Sequence, residues 1–226
     1  MPTQVSQNWG NRMTKVIGVI QLKGGAGKST VATNLAGMLN EKGSTLLIDS
    51  DEPQYSAEGW YLLREEADRA DGLKFTTCND ETLPSTLRSN SNVDYIVIDG
   101  PPRVERTTKL ILAVSDLVII PLPASMADMW AAYDLEEIVK QEQNSRKSLA
   151  VRLLMNQYRG FTNVSKEIAK EARSKEMSIP VMKTMLGYRS SYMTALGTGR
   201  CADEVGDSKA REEINQLTKE VLRLLR

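Results

Sequence analysis

The stretch that decides the fold is VIGVIQLKGGAGKST, residues 16–30. Residues 16–20 are apolar or small, which predicts a buried strand. A glycine-rich turn follows, and the apolar side chains after Thr30 recur at helical spacing, which predicts a helix. Glycines let successive backbone N–H groups point inward, and a helix N-terminus carries positive potential. Strand, turn and helix together therefore predict a binding site for phosphate groups.

Two lysines and two hydroxyl residues accompany the glycines of this turn. The candidate nucleotide-binding residues are Lys23, Gly24, Gly25, Ala26, Gly27, Lys28, Ser29 and Thr30. Lys28 would reach the β- and γ-phosphates of a nucleotide, and the Ser29 hydroxyl would ligate Mg²⁺. The common P-loop spacing requires a glycine at position 22, whereas this chain has Leu22 there, followed by the additional lysine Lys23.

Aspartates follow two further apolar segments. Residues 45–48 predict a strand that runs into Asp49 and Asp51, and residues 93–98 predict a strand that ends at Asp99. Carboxylates just beyond the carboxyl end of a strand in a doubly wound sheet lie at the ligand crevice. We therefore expect Asp99 to hold Mg²⁺, partly through water. Asp49 and Asp51, two residues apart, could serve the metal and a water molecule together.

Strand and helix patterns alternate along the rest of the chain. Further strands are predicted at residues 73–77, 117–120, 149–155 and 179–182, helices at 60–70, 81–87, 106–114, 126–143, 163–175 and 208–226, and a loop at 187–200. This alternation predicts an α/β fold with a single doubly wound, mostly parallel sheet and helices on both faces. Pro180 makes the strand at 179–182 an edge strand. We expect one domain over residues 15–226 and a disordered leader over residues 1–14, which are polar and lack periodicity.

The composition of the chain excludes several classes of function. The chain has no histidine, which excludes Ser-His-Asp and Cys-His catalysis. Its two cysteines are far apart and are most simply reduced thiols of a cytoplasmic protein. The sequence holds no run of about 18 apolar residues, so it predicts no membrane-spanning helix. Residues 1–150 carry 15 basic and 20 acidic side chains, and residues 151–226 carry 14 and 9. This asymmetry suggests a surface for a polyanion on the C-terminal third, and a chance distribution of charge is the alternative.

These motifs resemble the deviant P-loop ATPases of the ParA/MinD family, and the short chain resembles small partition ATPases of the ParF kind. The resemblance covers nearly all of residues 15–226 and rests on residues 23–30, 49–51, 96–102 and 116–121. It implies that Lys23 is the signature lysine, which crosses a dimer interface and touches the phosphates bound by the other subunit. It also implies that Asp51 orients the attacking water.

At three other places the chain matches the family pattern only in part. In the family, an asparagine after a late strand contacts the adenine edge, and Asn156 matches it, although a simple turn residue is nearly as good an interpretation. Arg189 lies in a segment that resembles the family loop near the base and the dimer face but lacks its proline. Glu52 intervenes between Asp51 and Pro53, so the loop carries an extra residue and Asp49 could share the hydrolytic role.

As a function, the resemblance implies an ATPase with slow turnover that uses ATP and Mg²⁺ and forms a homodimer with ATP. The dimer would bind DNA without sequence preference and be released by a centromere-binding adaptor of the ParB or ParG kind, in the cytoplasm on the nucleoid. Candidate DNA contacts are Lys183, Arg189, Arg200, Lys209, Arg211, Lys219 and Arg223. Two alternatives stay open. One is a MinD-like membrane switch that uses the basic amphipathic segment 214–226, and the other is an ATPase that positions a cargo other than DNA.

Overall fold

The computed structural model describes residues 14–52 and 54–226. The strands are β1 Lys15–Val19, β2 Thr45–Asp49, β3 Leu73–Thr77, β4 Tyr95–Asp99, β5 Leu117–Pro123, β6 Ala150–Tyr158 and β7 Val181–Gly187. The helices are α1 Lys28–Asn40, α2 Ser56–Glu66, α3 Leu83–Ser89, α4 Glu105–Val114, α5 Met126–Ser145, α6 Asn163–Glu171, α7 Ser190–Gly197 and α8 Ser208–Leu224, with a 3₁₀ turn at Ala202–Glu204.

The seven strands form one parallel sheet in the order β3-β2-β4-β1-β5-β6-β7. The predicted doubly wound α/β fold is therefore confirmed, with β1 at the centre between β4 and β5. The chain winds to opposite sides of β1, so a crevice opens at the carboxyl ends of these strands. The glycine-rich turn, Asp49 and Asp99 all lie at this edge of the sheet.

A hydrophobic core covers each face of the sheet. Leu47 packs in the core that contains Leu35 of α1 and Ile214 of α8, whereas its neighbours Leu46 and Ile48 pack in the opposite core. This opposite core, the one that contains Leu46 and Ile48, also includes side chains of α4 and α5. Because both faces are covered, the central strands are nearly continuous apolar runs, as is typical of parallel sheets.

Several predicted boundaries differ from the structure. The strand predicted at 117–120 continues through Pro121 and Pro123, which pair with β6. Pairing of β5 with β1 stops at Ile119, so the prolines lie where β5 has a neighbour on one side only. The helix predicted at 163–175 ends at Glu171. The last strand is at the sheet edge, as expected, but spans Val181–Gly187.

Two helices depend on contacts that the local sequence does not reveal. Helix α2 begins at Ser56, four residues before the predicted start, because the Asp49 carboxylate accepts hydrogen bonds from Ala57 N and Glu58 N. Helix α7 occupies part of the predicted loop at 187–200. Its Tyr192 side chain is buried in the core that also contains α1, and this packing outweighs the nearby glycines.

Residues 1–13 of the predicted leader lie outside the described residues. Thr14, its last residue, is buried and donates its hydroxyl to Ser91 O and Val93 O. Within the described residues, no helix combines the length and apolar character needed to cross a membrane.

Candidate functional site

The glycine-rich turn connects β1 to α1 at the centre of the crevice. Gly25 and Gly27 have φ angles of 76° and 89°, in the left-handed region that residues with a Cβ atom rarely adopt. Gly27 is the N-cap of α1, and its carbonyl accepts the first helical hydrogen bond, from Val31 N. The turn therefore leads directly into a helix N-terminus, which is an electropositive site suited to phosphate.

Asp99 is a fully buried carboxylate of the crevice. It has no solvent exposure, and among the described residues neither carboxylate oxygen has a hydrogen-bond partner of normal geometry. Burial raises its pKa to about 8, although the nearby Ser29 hydroxyl and Lys28 ammonium act in the opposite direction. A buried carboxylate without a partner is costly unless it binds a cation. Asp99 beside Ser29 offers the oxygen ligands that Mg²⁺ prefers, so these residues fit the metal.

Asp49 lies next to Asp99 because β2 and β4 pair in register at these residues. One Asp49 oxygen accepts a hydrogen bond from Asp51 N, and the other accepts the two from the first turn of α2. Burial raises the pKa of Asp49, and these hydrogen bonds lower it. Asp49 thus holds the start of α2 and the Asp51 loop in place. That Asp49 also contributes to the metal shell stays a prediction.

Lys28 lies among these carboxylates. Its side chain is buried, which lowers its pKa, while the Asp99 and Asp51 charges raise it. Burial also raises the pKa of Asp51, and Lys28 lowers it. The structure therefore brings Lys28, Ser29, Asp51 and Asp99 together, as the sequence predicts. This set combines a cation, a hydroxyl and carboxylates, which are the groups needed to bind a metal-bound phosphate and position a water molecule.

The loop with the additional Glu52 closes as a tight turn. The Asp51 carbonyl accepts hydrogen bonds from both Gln54 N and Tyr55 N. Tyr55, the N-cap of α2, has a φ angle of 44°, so the chain bends sharply before the helix. Pro53 lies outside the described residues. The turn keeps Asp51 buried in the crevice in spite of the extra residue.

Lys23 pairs with a carboxylate of α5. Its Nζ atom lies 3.0 Å from Oδ1 of Asp128 on α5. The Lys23 side chain is 37% exposed, whereas that of Asp128 is 7% exposed. Ser125 donates its hydroxyl to the other Asp128 oxygen and caps α5 by accepting from Asp128 N. The ion pair joins residues 105 positions apart, and no local pattern of the sequence connects them.

A cavity opens beside the glycine-rich turn. It is lined by residues that include Gly27, Thr30, Asn156, Gly187, Arg189 and Tyr192. Asn156 lies within β6, not after it, and donates its side-chain amide to Ala26 O at 2.8 Å. Gln157 similarly donates to Gly25 O at 3.1 Å. In this structure, therefore, both amides support the glycine-rich turn, and contact of Asn156 with a base stays a prediction.

The predicted DNA contacts differ in their surroundings. Lys183, Lys209, Arg211, Lys219 and Arg223 are exposed, whereas Arg200 is partly buried. Arg189 is half-buried and forms an ion pair with Glu213. The apolar side chains Ile214, Leu217 and Val221 of α8 are fully buried in the core. The amphipathic pattern of segment 214–226 therefore reflects packing of α8 within the domain.

Comparisons with known proteins agree with this architecture. A sequence profile described as "CobQ/CobB/MinD/ParA nucleotide binding domain" matches residues 17–201. The "Maintenance of carboxysome distribution protein A" of Halothiobacillus neapolitanus is 28% identical over 91% of this chain and 95% of its own. The "Probable plasmid-partitioning protein ParA" of Thermus thermophilus is 22% identical over 96% and 81%. The structure of a Cyanothece McdA–ATP complex has a TM-score of 0.73 at 20% identity, covering 93% and 97%. The chain belongs to the ParA/MinD family of P-loop ATPases.

Proposed function

We propose that this chain is an ATP-driven partition protein whose ATP-bound dimer binds DNA and is released when the ATP is hydrolysed. The observation that carries the proposal is the position of Lys23. Lys23 begins the glycine-rich turn, and its ammonium pairs with Asp128 on α5. Among the described residues, the structure shows no ion pair between Lys23 and the carboxylates around Lys28. A partly exposed lysine at the rim of a phosphate site can contact a nucleotide bound by a second copy of the chain.

The chemistry follows from the charges of the crevice. ATP brings about four negative charges, and Lys28, Mg²⁺ and the amides of the turn neutralise most of them. Mg²⁺ bound near Ser29 and Asp99 would orient the phosphates and offset their charge. Asp51 would orient the attacking water while Lys28 and the Lys23 of a second subunit stabilise the transferred phosphoryl group. Loss of the γ-phosphate would remove the contact with Lys23 and loosen the dimer.

Basal turnover is expected to be slow because we assign no arginine of the described residues to the transferred phosphoryl group. A partner that inserts an arginine could raise the rate by about 10³-fold or more. We propose a centromere-binding adaptor of the ParB or ParG kind for this role. Its binding would coincide with release from DNA.

The exposed cations of the C-terminal third support a DNA surface. Lys209, Arg211, Lys219 and Arg223 are exposed on α8, and Lys183 is exposed on β7. Dimerisation doubles such a surface, and phosphate contacts release counterions, so the dimer should bind DNA much more tightly than the monomer. Contacts to phosphates do not depend on the base sequence, so we expect sequence-independent binding on the nucleoid.

The membrane alternative loses its main support, because the apolar side chains of α8 are already buried in the domain core. A different cargo has more support. The similar protein from Halothiobacillus neapolitanus is named for carboxysome distribution and matches 95% of its own length. A second candidate function is therefore the positioning of a protein compartment by the same ATP and DNA cycle. The two candidates differ only in the cargo and its adaptor.

The deciding experiment measures binding to a random-sequence DNA duplex at low salt with ATP, ADP or no nucleotide. We expect wild-type protein to bind only with ATP, and Lys23→Ala to lose this binding. Lys219→Glu combined with Arg223→Glu removes four cations from the dimer, so it should weaken ATP-dependent binding at least tenfold and reduce the slope of log affinity against log salt by about 4. The matched control, Lys140→Glu on α5 with Lys147→Glu just beyond the end of that helix, makes the same change of charge elsewhere and should bind like wild type.

Equal affinity for DNA with ATP and ADP would refute the proposed switch. Imaging of a deletion strain separates the cargoes. Plasmid loss would support partition, whereas clustered protein compartments with stable plasmids would support the second candidate.

A further inference from the structure

One carboxylate of α8 organises the wall of the cavity beside the glycine-rich turn. Glu213 accepts hydrogen bonds from Gly187 N at 3.0 Å and from the Tyr192 hydroxyl at 2.9 Å. It also accepts from the Arg189 guanidinium, through Nε at 3.1 Å and Nη2 at 2.5 Å. These three donors come from the end of β7, the loop after it and α7. Glu213 therefore joins three consecutive pieces of structure to α8.

The same three donors line the cavity that reaches Gly27 and Thr30. Tyr192 is buried, and the Glu213 side chain is only 18% exposed, so this network is largely shielded from water. Hydrogen bonds that involve a charged group are stronger than neutral ones, and more so where water is excluded. The position of the cavity wall thus depends on Glu213, which itself is not among the residues that line the cavity.

We infer that Glu213 is a positioning residue that holds Gly187, Arg189 and Tyr192 as the binding wall for the base of the nucleotide. This inference rests on the proposed nucleotide site, because it takes the phosphates to bind at the turn and the base to enter the adjoining cavity. It also decides between the two roles predicted for Arg189, one near the base and one on the DNA surface. An arginine held in this ion pair serves the nucleotide cavity and not the DNA surface.

A second carboxylate of α8 provides a matched control for the positioning role of Glu213. Glu220, also on α8, accepts hydrogen bonds from Lys183 N at 2.8 Å, Thr184 N at 2.9 Å and the Thr184 hydroxyl at 2.7 Å. It too joins α8 to β7, but its partners do not line the cavity. Loss of either carboxylate weakens the attachment of α8, whereas only loss of Glu213 should release the cavity wall.

The test compares the binding of Mg-ATP with that of magnesium tripolyphosphate, which has the phosphates but no base. Calorimetry would be run on wild type, Glu213→Gln and Glu220→Gln. For Glu213→Gln we expect ATP affinity to fall about tenfold, since charge-assisted bonds to the wall are lost. Affinity for tripolyphosphate should stay within about twofold of wild type. Glu220→Gln should leave the ratio of the two affinities unchanged, even if its melting temperature falls.

Three results would overturn the inference. The first is a fall in ATP and tripolyphosphate affinity by the same factor in Glu213→Gln, which would indicate a structural role only. The second is a wild-type protein that binds tripolyphosphate as tightly as ATP, in which case no base is held although the phosphate site stands. The third is a wild-type protein that binds neither ligand, which would overturn the proposed function as well.

A second variant covers the case in which Glu213→Gln does not fold. Tyr192→Phe keeps the ring and removes one donor to Glu213. Its ratio of ATP to tripolyphosphate affinity should fall about threefold, as expected for the loss of one such hydrogen bond. An unchanged ratio in this folded variant would overturn the inference.

Discussion

The ion pair between Lys23 and Asp128 should restrain dimer formation. If Lys23 must reach a nucleotide in a second subunit, it must first leave Asp128, 3.0 Å away. Asp128→Asn removes the charge that holds the lysine but retains an oxygen to accept from the Ser125 hydroxyl. We therefore expect the variant to dimerise more tightly than wild type when ATP is bound.

The size of this effect can be worked out from the exposure of the two side chains. Because Lys23 is 37% exposed, solvent screens the pair, and it is worth about 1 kcal/mol, at the upper end for surface ion pairs. A dimer contains two such pairs, so Asp128→Asn should favour dimerisation by about 2 kcal/mol, or about 30-fold in the dimer dissociation constant. The advantage should shrink as salt is raised, because salt screens the wild-type pair.

Sedimentation velocity over a range of protein concentrations would measure this constant with Mg²⁺ and a non-hydrolysable ATP analogue. Glu105→Gln is the control, because it breaks a similar pair with Lys109 on the surface of α4. It should leave the dimer dissociation constant unchanged. A folded Asp128→Asn protein that dimerises as weakly as wild type, or more weakly, would refute the idea that Asp128 competes for Lys23.

Three further predictions concern stability and the metal site. An ideal Cβ on Gly37 would lie 2.2 Å from Sγ of Cys201, so Gly37→Ala should cost about 1–3 kcal/mol in urea unfolding, and adding Cys201→Ala should recover most of it. Asp99→Asn should abolish Mg²⁺-dependent phosphate release yet raise the melting temperature without metal. The pKa of Asp99 is about 8 in the folded protein and about 4 when unfolded. As pH rises from about 4 to about 8, the unfolded state loses this proton more readily than the folded state, so wild type should lose stability relative to the variant. Burial raises the pKa of Cys78 to about 11 and that of Cys201 further, so Ellman's reagent at pH 8 should label both thiols only after unfolding.

Features that depend on neighbouring residues were predictable from the sequence alone. The strand, turn and helix around residues 16–30 follow from a few adjacent side chains, because backbone hydrogen bonds and glycine torsions act over short distances. The strand pattern likewise placed Asp49 and Asp99 at the same edge of a parallel sheet, as the structure has them. The sequence by itself therefore determines the fold class and predicts that Lys28, Ser29, Asp51 and Asp99 lie together.

Only the tertiary structure decided which distant groups meet. Buried parallel strands share nearly the same apolar pattern, so the sequence contains no local signal for the order that brings Asn156 to Ala26 or Asp128 to Lys23. The early start of α2 at Ser56 arose in the same way, because its cap is a carboxylate on β2. No local pattern distinguishes Glu213 from the other charges of α8, and only packing of α8 against β7 gives it its partners. Long-range ion pairs and caps depend on how the elements pack in space, and that packing is decided by the whole sheet and both cores together.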